Sequence, residues 1–246
     1  MSQSRQEARP TVLVRFWSLD HHRAEAVLWT TSPWDKVVYS LEGTLHVETE
    51  NELHVLPSNR ALFVPAHVCH PARTLGKACV RTIFFAPQIS VRRTSGVFEV
   101  RPLFRELIAE ACRIGPLEAN SPHHHALATM LQAEVESAHS VPTSISMPRS
   151  PWLHQWAQGF LNDPLATPDP GFSRRTLERK ILAETGLSLG RWMQQARALI
   201  GLQALSSGCS VAEAAHVAGF ETTSGFVQAF RRQCGTTPGK LLRQRG

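Results

Sequence analysis

Ser224, Val227, Gln228 and Arg231 recur at i, i+3, i+4 and i+7, which sets them on one stripe if residues 224–234 are helical. Together they offer a hydroxyl, an apolar surface, a primary amide and a guanidinium, with Thr223 adding a second hydroxyl at the start of the stretch. An amide pairs bidentately with adenine, a guanidinium with guanine or phosphate, and an apolar side chain packs on a thymine methyl. The set therefore suits base edges in a major groove. An ordinary solvated helix face with the same spacing would need no ligand.

The surrounding elements must aim that stripe. Phe226, Phe230 and Gln233 share a second stripe, and the two phenylalanines would pin the helix inward. Ser210 can N-cap a run from Val211 to Ala218, Gly219 supplies the positive-φ corner of a helix-turn-helix, and Thr222, Thr223 and Ser224 offer hydroxyls to cap the second helix. Gly235 closes that helix, and Thr237-Pro238 opens a last basic one.

The segment GFETTSGFVQAFRRQCGTTPGKL resembles the second helix-turn-helix of AraC/XylS-type transcription regulators, through Gly219, Phe220, Thr222, Ser224, Phe226, Phe230, Arg231, Gly235, Thr237 and Pro238. Upstream, SRRTLERKILAETGLSLGRWMQQARALIGLQAL is similar to that family's first recognition helix and its linker helix, so the resemblance runs from at least Ser173 to the C-terminus. It implies that Ser173, Arg175, Glu178 and Arg179 turn toward DNA, that Leu177 and Ile181 point inward, and that Glu184 and Thr185 sit at inward or turn-facing positions. A linker helix over Gly190 to Leu205 would be roughly 24 Å long. Two readers on its ends could then lie about one DNA turn, roughly 34 Å, apart.

One stretch departs from the pattern. Where the family has a supporting helix of the kind L-x-x-L-A-x-x-x-G, this chain has PLATPDPGF, and Pro164, Pro168 and Pro170 exclude a helix between Asp163 and Ser173. The first motif is therefore expected to be truncated. Its recognition helix would lose buried apolar area worth several kcal/mol at ~25 cal/mol per Å².

The 246 residues carry 26 Lys/Arg against 20 Asp/Glu, and the excess is uneven: 11 against 4 from Gly171 onward, 15 against 16 before it. A basic C-terminal third is expected of a part that meets phosphate. No window approaches the ~20 apolar residues of a membrane helix, and MSQSRQEARP lacks the apolar core of a signal peptide. The sequence reads as cytoplasmic. Five cysteines, at positions 69, 79, 112, 209 and 234, form no CxxC and read as reduced, mostly buried thiols.

Residues 11–100 read as short strands: Thr11 to Trp17, Ala24 to Thr30, Lys36 to Leu41, Thr44 to Thr49, Leu53 to Leu56, Ala61 to Val64 and Cys79 to Phe85, with corners at Glu42-Gly43 and Glu50-Asn51. With the C-terminal part assigned, residues 32–76 resemble the cupin sensor domain of short AraC-type regulators, a double-stranded β-helix jelly roll. Cupins often hold a metal on an H-x-H pair and a later histidine. Aligned on Trp34-Asp35, that pair falls at Thr30 and Ser32, the usual following Gln is Lys36, and only His70 remains, which makes a poor divalent site. Lys36, His46, His67 and His70 are the candidate ligand contacts. His46 and His54 alternate on what read as facing strands, and His67 and His70 share a loop. Each could line a cavity or be a half-exposed residue with no ligand. His123, His124 and His125 splay about 100° apart and read as an exposed helix start.

Pro102 to Ile114 and Ser121 to His139 have helical spacing, with Leu103, Leu107 and Ile108 on one apolar face and Leu127, Met130, Leu131 and Val135 on the other. Val141 to Pro151 reads as a linker, and Trp152 to Asn162 as the first helix of the DNA-binding part.

The expected fold is α+β: a cupin-like β-barrel over 1–100, a helical dimerisation and linker region over 101–150, and an all-α domain over 151–246 with two helix-turn-helix units, the first truncated. The resemblance implies a one-component transcription regulator that needs no cofactor and acts as a homodimer. Its partners would be double-stranded DNA, a small-molecule effector and, if it activates, RNA polymerase. The alternative is a metal-dependent cupin enzyme with an accessory helical domain. No nucleophile elbow, phosphate loop or HExxH supports catalysis.

Overall fold

The computed structural model describes residues 11–21, 26–27, 31–49, 51–58, 60–74, 77–166, 171 and 173–243. Nine strands precede the first helix among these residues: β1 Val12–His21, β2 Ala26–Val27, β3 Asp35–Glu42, β4 Thr44–Glu48, β5 Glu52–Pro57, β6 Arg60–Val64, β7 Ala72–Thr74, β8 Ala78–Phe85 and β9 Gly96–Glu99. Then follow α1 Pro102–Ile114, β10 Leu117–Glu118, α2 Pro122–Ser137 and β11 Ser144–Ser146. The helical half comprises α3 Pro151–Asn162, α4 Arg174–Thr185, α5 Leu189–Ser206, α6 Val211–Val217, α7 Thr223–Cys234 and α8 Pro238–Arg243.

The strands form two antiparallel sheets, ordered β10-β1-β8-β3-β6-β9 and β11-β5-β4-β7-β2. Their central strands, β1-β8-β3-β6 and β2-β7-β4-β5, are in jelly-roll order, so the expected double-stranded β-helix is present. Strand alternation separates three apolar layers. Val38, Leu45, Val47, Leu62 and Val80 fill the space between the sheets. Val37, Tyr39, Phe63 and Ile83 on the outer face of the six-stranded sheet pack against Phe104, Ile108 and Leu131 of α1 and α2. Leu53, Val55 and Ile145 on the outer face of the five-stranded sheet share one core with Trp156, Phe160, Trp192 and Phe226 of the helical half.

Several expectations are corrected. Leu103 and Met130 face solvent, and Phe104 and Ala128 occupy the buried positions. The stretch read as a linker contains β11, which pairs with β5 from Ser144 opposite His54 to Ser146 opposite Glu52. Only Cys234 is fully buried; Cys69 is exposed and the other three are intermediate. Of the strand expected over Ala24 to Thr30, only Ala26 and Val27 are described, and Glu50 of the second corner also lies outside the described residues. At the first corner Gly43 has φ 77°, and a Cβ there would run into the Lys77 carbonyl, so the hairpin requires glycine twice over.

Helices α5 and α7 meet at a close approach. Gly201 on α5 lies directly beneath the Phe226 ring of α7, where an added Cβ would meet Cζ at 2.7 Å. Phe226 is itself enclosed by Phe220 and Phe230, with ring centroids 5.4 Å away in both cases, so it has little room to yield. Gly201→Val is expected to lower stability by about 1–3 kcal/mol through overpacking. Adding Phe226→Leu should recover part of that loss. Strictly additive effects in urea unfolding would rule out this contact as the cause.

Candidate nucleic-acid interface

The second helix-turn-helix is assembled from local signals. Ser210 N-caps α6, its hydroxyl accepting from the Glu213 N–H while the Glu213 carboxylate accepts from the Ser210 N–H at 2.7 Å. This reciprocal box was legible as Ser-x-x-Glu, a signal the sequence reading did not use. Gly219 has φ 74° and turns the chain. The Thr222 hydroxyl then accepts from the Gly225 N–H, and α7 runs until Gly235, whose φ of 69° closes it. Of the three hydroxyls available, Thr222 is the cap. Thr223 and Ser224 are left exposed on the first turn.

Along α7 the two stripes separate as expected. Phe226, Phe230 and Gln233 are buried, while Ser224, Gln228 and Arg231 are exposed and Val227 is half-buried beside them. The exposed face is thus a row of hydrogen-bonding groups on a helix anchored by aromatic packing. Gln233 does more than fill space: its amide donates to the Ser144 carbonyl of β11 at 2.7 Å, tying the helix to the jelly roll.

The first reader has the same frame. Ser173 caps α4, accepting from the Thr176 N–H, and Gly186 closes it with φ 72°. Both α4 and α7 are 12 residues long between a hydroxyl N-cap and a left-handed glycine. Aligning the caps places Arg175, Glu178, Arg179 and Leu182 where α7 carries Ser224, Val227, Gln228 and Arg231. Ser173, Arg175, Glu178 and Arg179 are all exposed, but Leu182, 54% exposed, stands where α7 has its guanidinium. Glu178 accepts from Arg174 at 3.1 Å, an exposed pair of small energetic weight.

In place of a supporting helix, the described residues after α3 form a turn in which the Asp163 carboxylate accepts from the Leu165 and Ala166 N–H groups, both at 3.0 Å. Residues 167–170 and Phe172 lie outside the described residues. The far end of α4 has another anchor. Glu184 accepts from the Arg149 and Ser150 N–H groups and the Ser150 hydroxyl, capping α3 from a neighbouring helix. Burial alone would raise its carboxyl pKa, but those donors outweigh it and hold the group below the usual range.

The four candidate ligand residues do not converge. Lys36 lies on the inner face of β3 and is 1% exposed; burial pushes its pKa down, with the Cys69 thiol opposing. His70 is buried near it, and burial followed by the Lys36 charge brings its imidazole down to about 4. His67 is exposed at a loop corner with φ 65°, its N–H donating to the Ser32 carbonyl. Thr30, aligned with the cupin metal pair, lies outside the described residues.

The expectation for His46 and His54 is corrected. They lie on neighbouring strands of one sheet, with Val47 opposite His54 and His46 opposite Val55. Neighbouring residues on a strand point to opposite faces, so His54 points into the jelly roll and His46 outward beneath α5. Both are buried rather than half-exposed. The neighbours of His46, Arg73 on β7 and Gln203 on α5, were not legible, because no local pattern records which strand or helix will cover a given face.

Comparison with known proteins matches residues 170–244 to a helix-turn-helix domain family. The HTH-type transcriptional regulator NimR of Escherichia coli K12 is 28% identical over 225 residues, 84% of this chain and 79% of its own length, so that likeness includes most of the jelly-roll half. The HTH-type transcriptional regulator RipA of Corynebacterium glutamicum is 38% identical over 68 residues, 28% of this chain and 20% of its own. A solved structure of ToxT from Vibrio cholerae O395 aligns with 95% of this chain and 100% of its own at 10% identity and a TM-score of 0.40.

Proposed function

We propose that the chain is an AraC-type DNA-binding transcriptional regulator with a cupin-like N-terminal domain, and that it reads the major groove mainly with α7. The observation that carries this reading is the contrast between the two reader helices. Ser224, Gln228 and Arg231 stand exposed on a helix backed by α6, whereas α4 follows the sequence PLATPDPGF in place of a supporting-helix motif and ends its outward stripe in Leu182. A leucine cannot pair with phosphate, so α4 contributes positioning through Arg175 and Arg179 and little sequence discrimination.

The test is binding of the full chain to an operator obtained by genome-wide selection. Gln228→Ala is expected to lower specific affinity by about 1–3 kcal/mol and relax the preference at one base pair. If Arg231 meets phosphate, Arg231→Ala should lower the salt slope by about one. Equal losses of specificity from Arg175→Ala and Arg179→Ala would sink the assignment.

The matched domain and the regulator relatives point to regulation rather than catalysis. No helix among the described residues is long and apolar enough to cross a membrane, which accords with action in the cytoplasm. In this reading the interior around Lys36 and His70 receives a small-molecule effector, which acts by binding one arrangement of the two halves more tightly than the other. A homodimer would present two sets of readers, and RNA polymerase would be the further partner of an activator.

A further inference from the structure

The buried seam between the jelly roll and α5 has an imbalance of charge and hydrogen bonding that α7 does not share. His46 is 4% exposed, and neither of its ring nitrogens has a hydrogen-bond partner among the described residues. Arg73, its register partner on β7, presents buried Nε and Nη2 atoms that likewise have none, and so does the Thr44 hydroxyl on the same face of β4. Gln203 of α5 lies beside the His46 ring, where its side chain opposes the lowering of the imidazole pKa by burial. Glu48, on the same face of β4, is engaged by Gln158 at 3.3 Å and His154 at 3.7 Å.

A buried donor without an acceptor is destabilising, and a guanidinium more so than a neutral group. The Nε and Nη2 edge of an arginine is also the geometry that grips two oxygens of one oxyanion. We propose that the seam between β4, β7 and α5 binds a small oxyanion of the carboxylate or phosphate class. Arg73 holds it through both free N–H groups, the His46 ring and Thr44 hydroxyl donate from the jelly roll, and the Gln203 amide donates from α5. The site is distinct from the interior around Lys36, because His46 and Arg73 point away from it. The proposal rests on the regulator reading only for its consequence: a ligand bridging Gln203 to the sheet would fix the helix from which both readers are hung.

Calorimetric titration of the full chain with inorganic phosphate and, separately, acetate tests it, at constant ionic strength in chloride and without DNA. Saturable binding of one of the two is expected, and the arm that binds identifies the source. Arg73→Met should weaken that binding about ten-fold or more. His46→Leu should weaken it as well, whereas Arg231→Ala, a control for anions held at the DNA-reading face, should not. Without the anion, Arg73→Met should melt no lower than the unaltered chain, since it removes a buried charge with unmet donors. Binding that survives Arg73→Met and His46→Leu but is lost in Arg231→Ala would overturn the proposal, as would no saturable binding of either anion. Should either seam variant fail to fold, crystals of the unaltered chain grown with selenate decide. An anomalous peak between Arg73 and Gln203 supports the site, and peaks confined to α4 and α7 refute it. None of these readouts involves an operator, so failure here leaves the assignment of α7 standing.

Discussion

Acidification from pH 7 to about 5 is expected to remove several kcal/mol of folding stability, largely before the carboxylates titrate. The cause is three buried histidines. Burial brings His46 down to about 3, with Arg73 adding to the effect, His54 down to about 4, and His70 down to about 4 with Lys36 adding to the effect. In the unfolded chain an imidazole titrates near 6.5. Each folded-state value lies below that, so the unfolded chain binds more protons as pH falls, and stability is fully present above about 6.5 and declines toward the folded values. Each histidine contributes up to about 1.4 kcal/mol per pH unit, approaching ~4 kcal/mol per unit for the three together. Urea unfolding at a series of pH values measures the slope, and His54→Phe should flatten it by about a third. A total slope between pH 6 and 5 no steeper than one histidine's worth would show that these rings are hydrated in the folded protein.

Replacing Trp192 with alanine is expected to destabilise the chain by about 3–5 kcal/mol. The indole is fully buried, packs against Trp156 and Phe160 at centroid distances of 5.6 and 5.8 Å, and donates its N–H to the Ser146 carbonyl of β11 at 2.8 Å. Alanine would leave a cavity at the junction of sheet and helices and deprive the Ser146 carbonyl of its donor. Trp192→Phe keeps most of the packing and loses the hydrogen bond, at about 1 kcal/mol. Because Leu53, Val55, Ile145 and Met147 share a core with the helical half, both halves should unfold in one transition, and Trp192→Ala should lower or split it. A change below 1 kcal/mol, with fluorescence and far-UV signals still coincident, would mean the junction does not hold the halves together.

The helical half was largely legible because its signals are local. Ser173, Ser210, Gly186, Gly219 and Gly235 each act within one turn of a helix, and the structure places each where capping or turning required it. The separation of Phe226 and Phe230 from Gln228 and Arg231 needed only the 3.6-residue repeat. The jelly roll was legible strand by strand but not in its pairings. Alternation shows which residues share a face with His46 and which with His54, yet only the register of β4 on β5, with Val47 opposite His54, sets the two rings on opposite faces. Three-residue strands such as β7 and β11 carry no periodicity of their own. Nor could the Glu184 cap be foreseen, since it joins residues 34 positions apart through the packing of α4 on α3.

The crossing between the halves is itself a strand, β11, stitched to β5 on one side and joined to α5 and α7 through Trp192 and Gln233. The protein is thus built less like two beads on a string than like a shaft set into its housing. If the proposed effector strained β5, that strain would reach α5 and α7 through β11 and the Trp192 and Gln233 hydrogen bonds, with no linker between to absorb it.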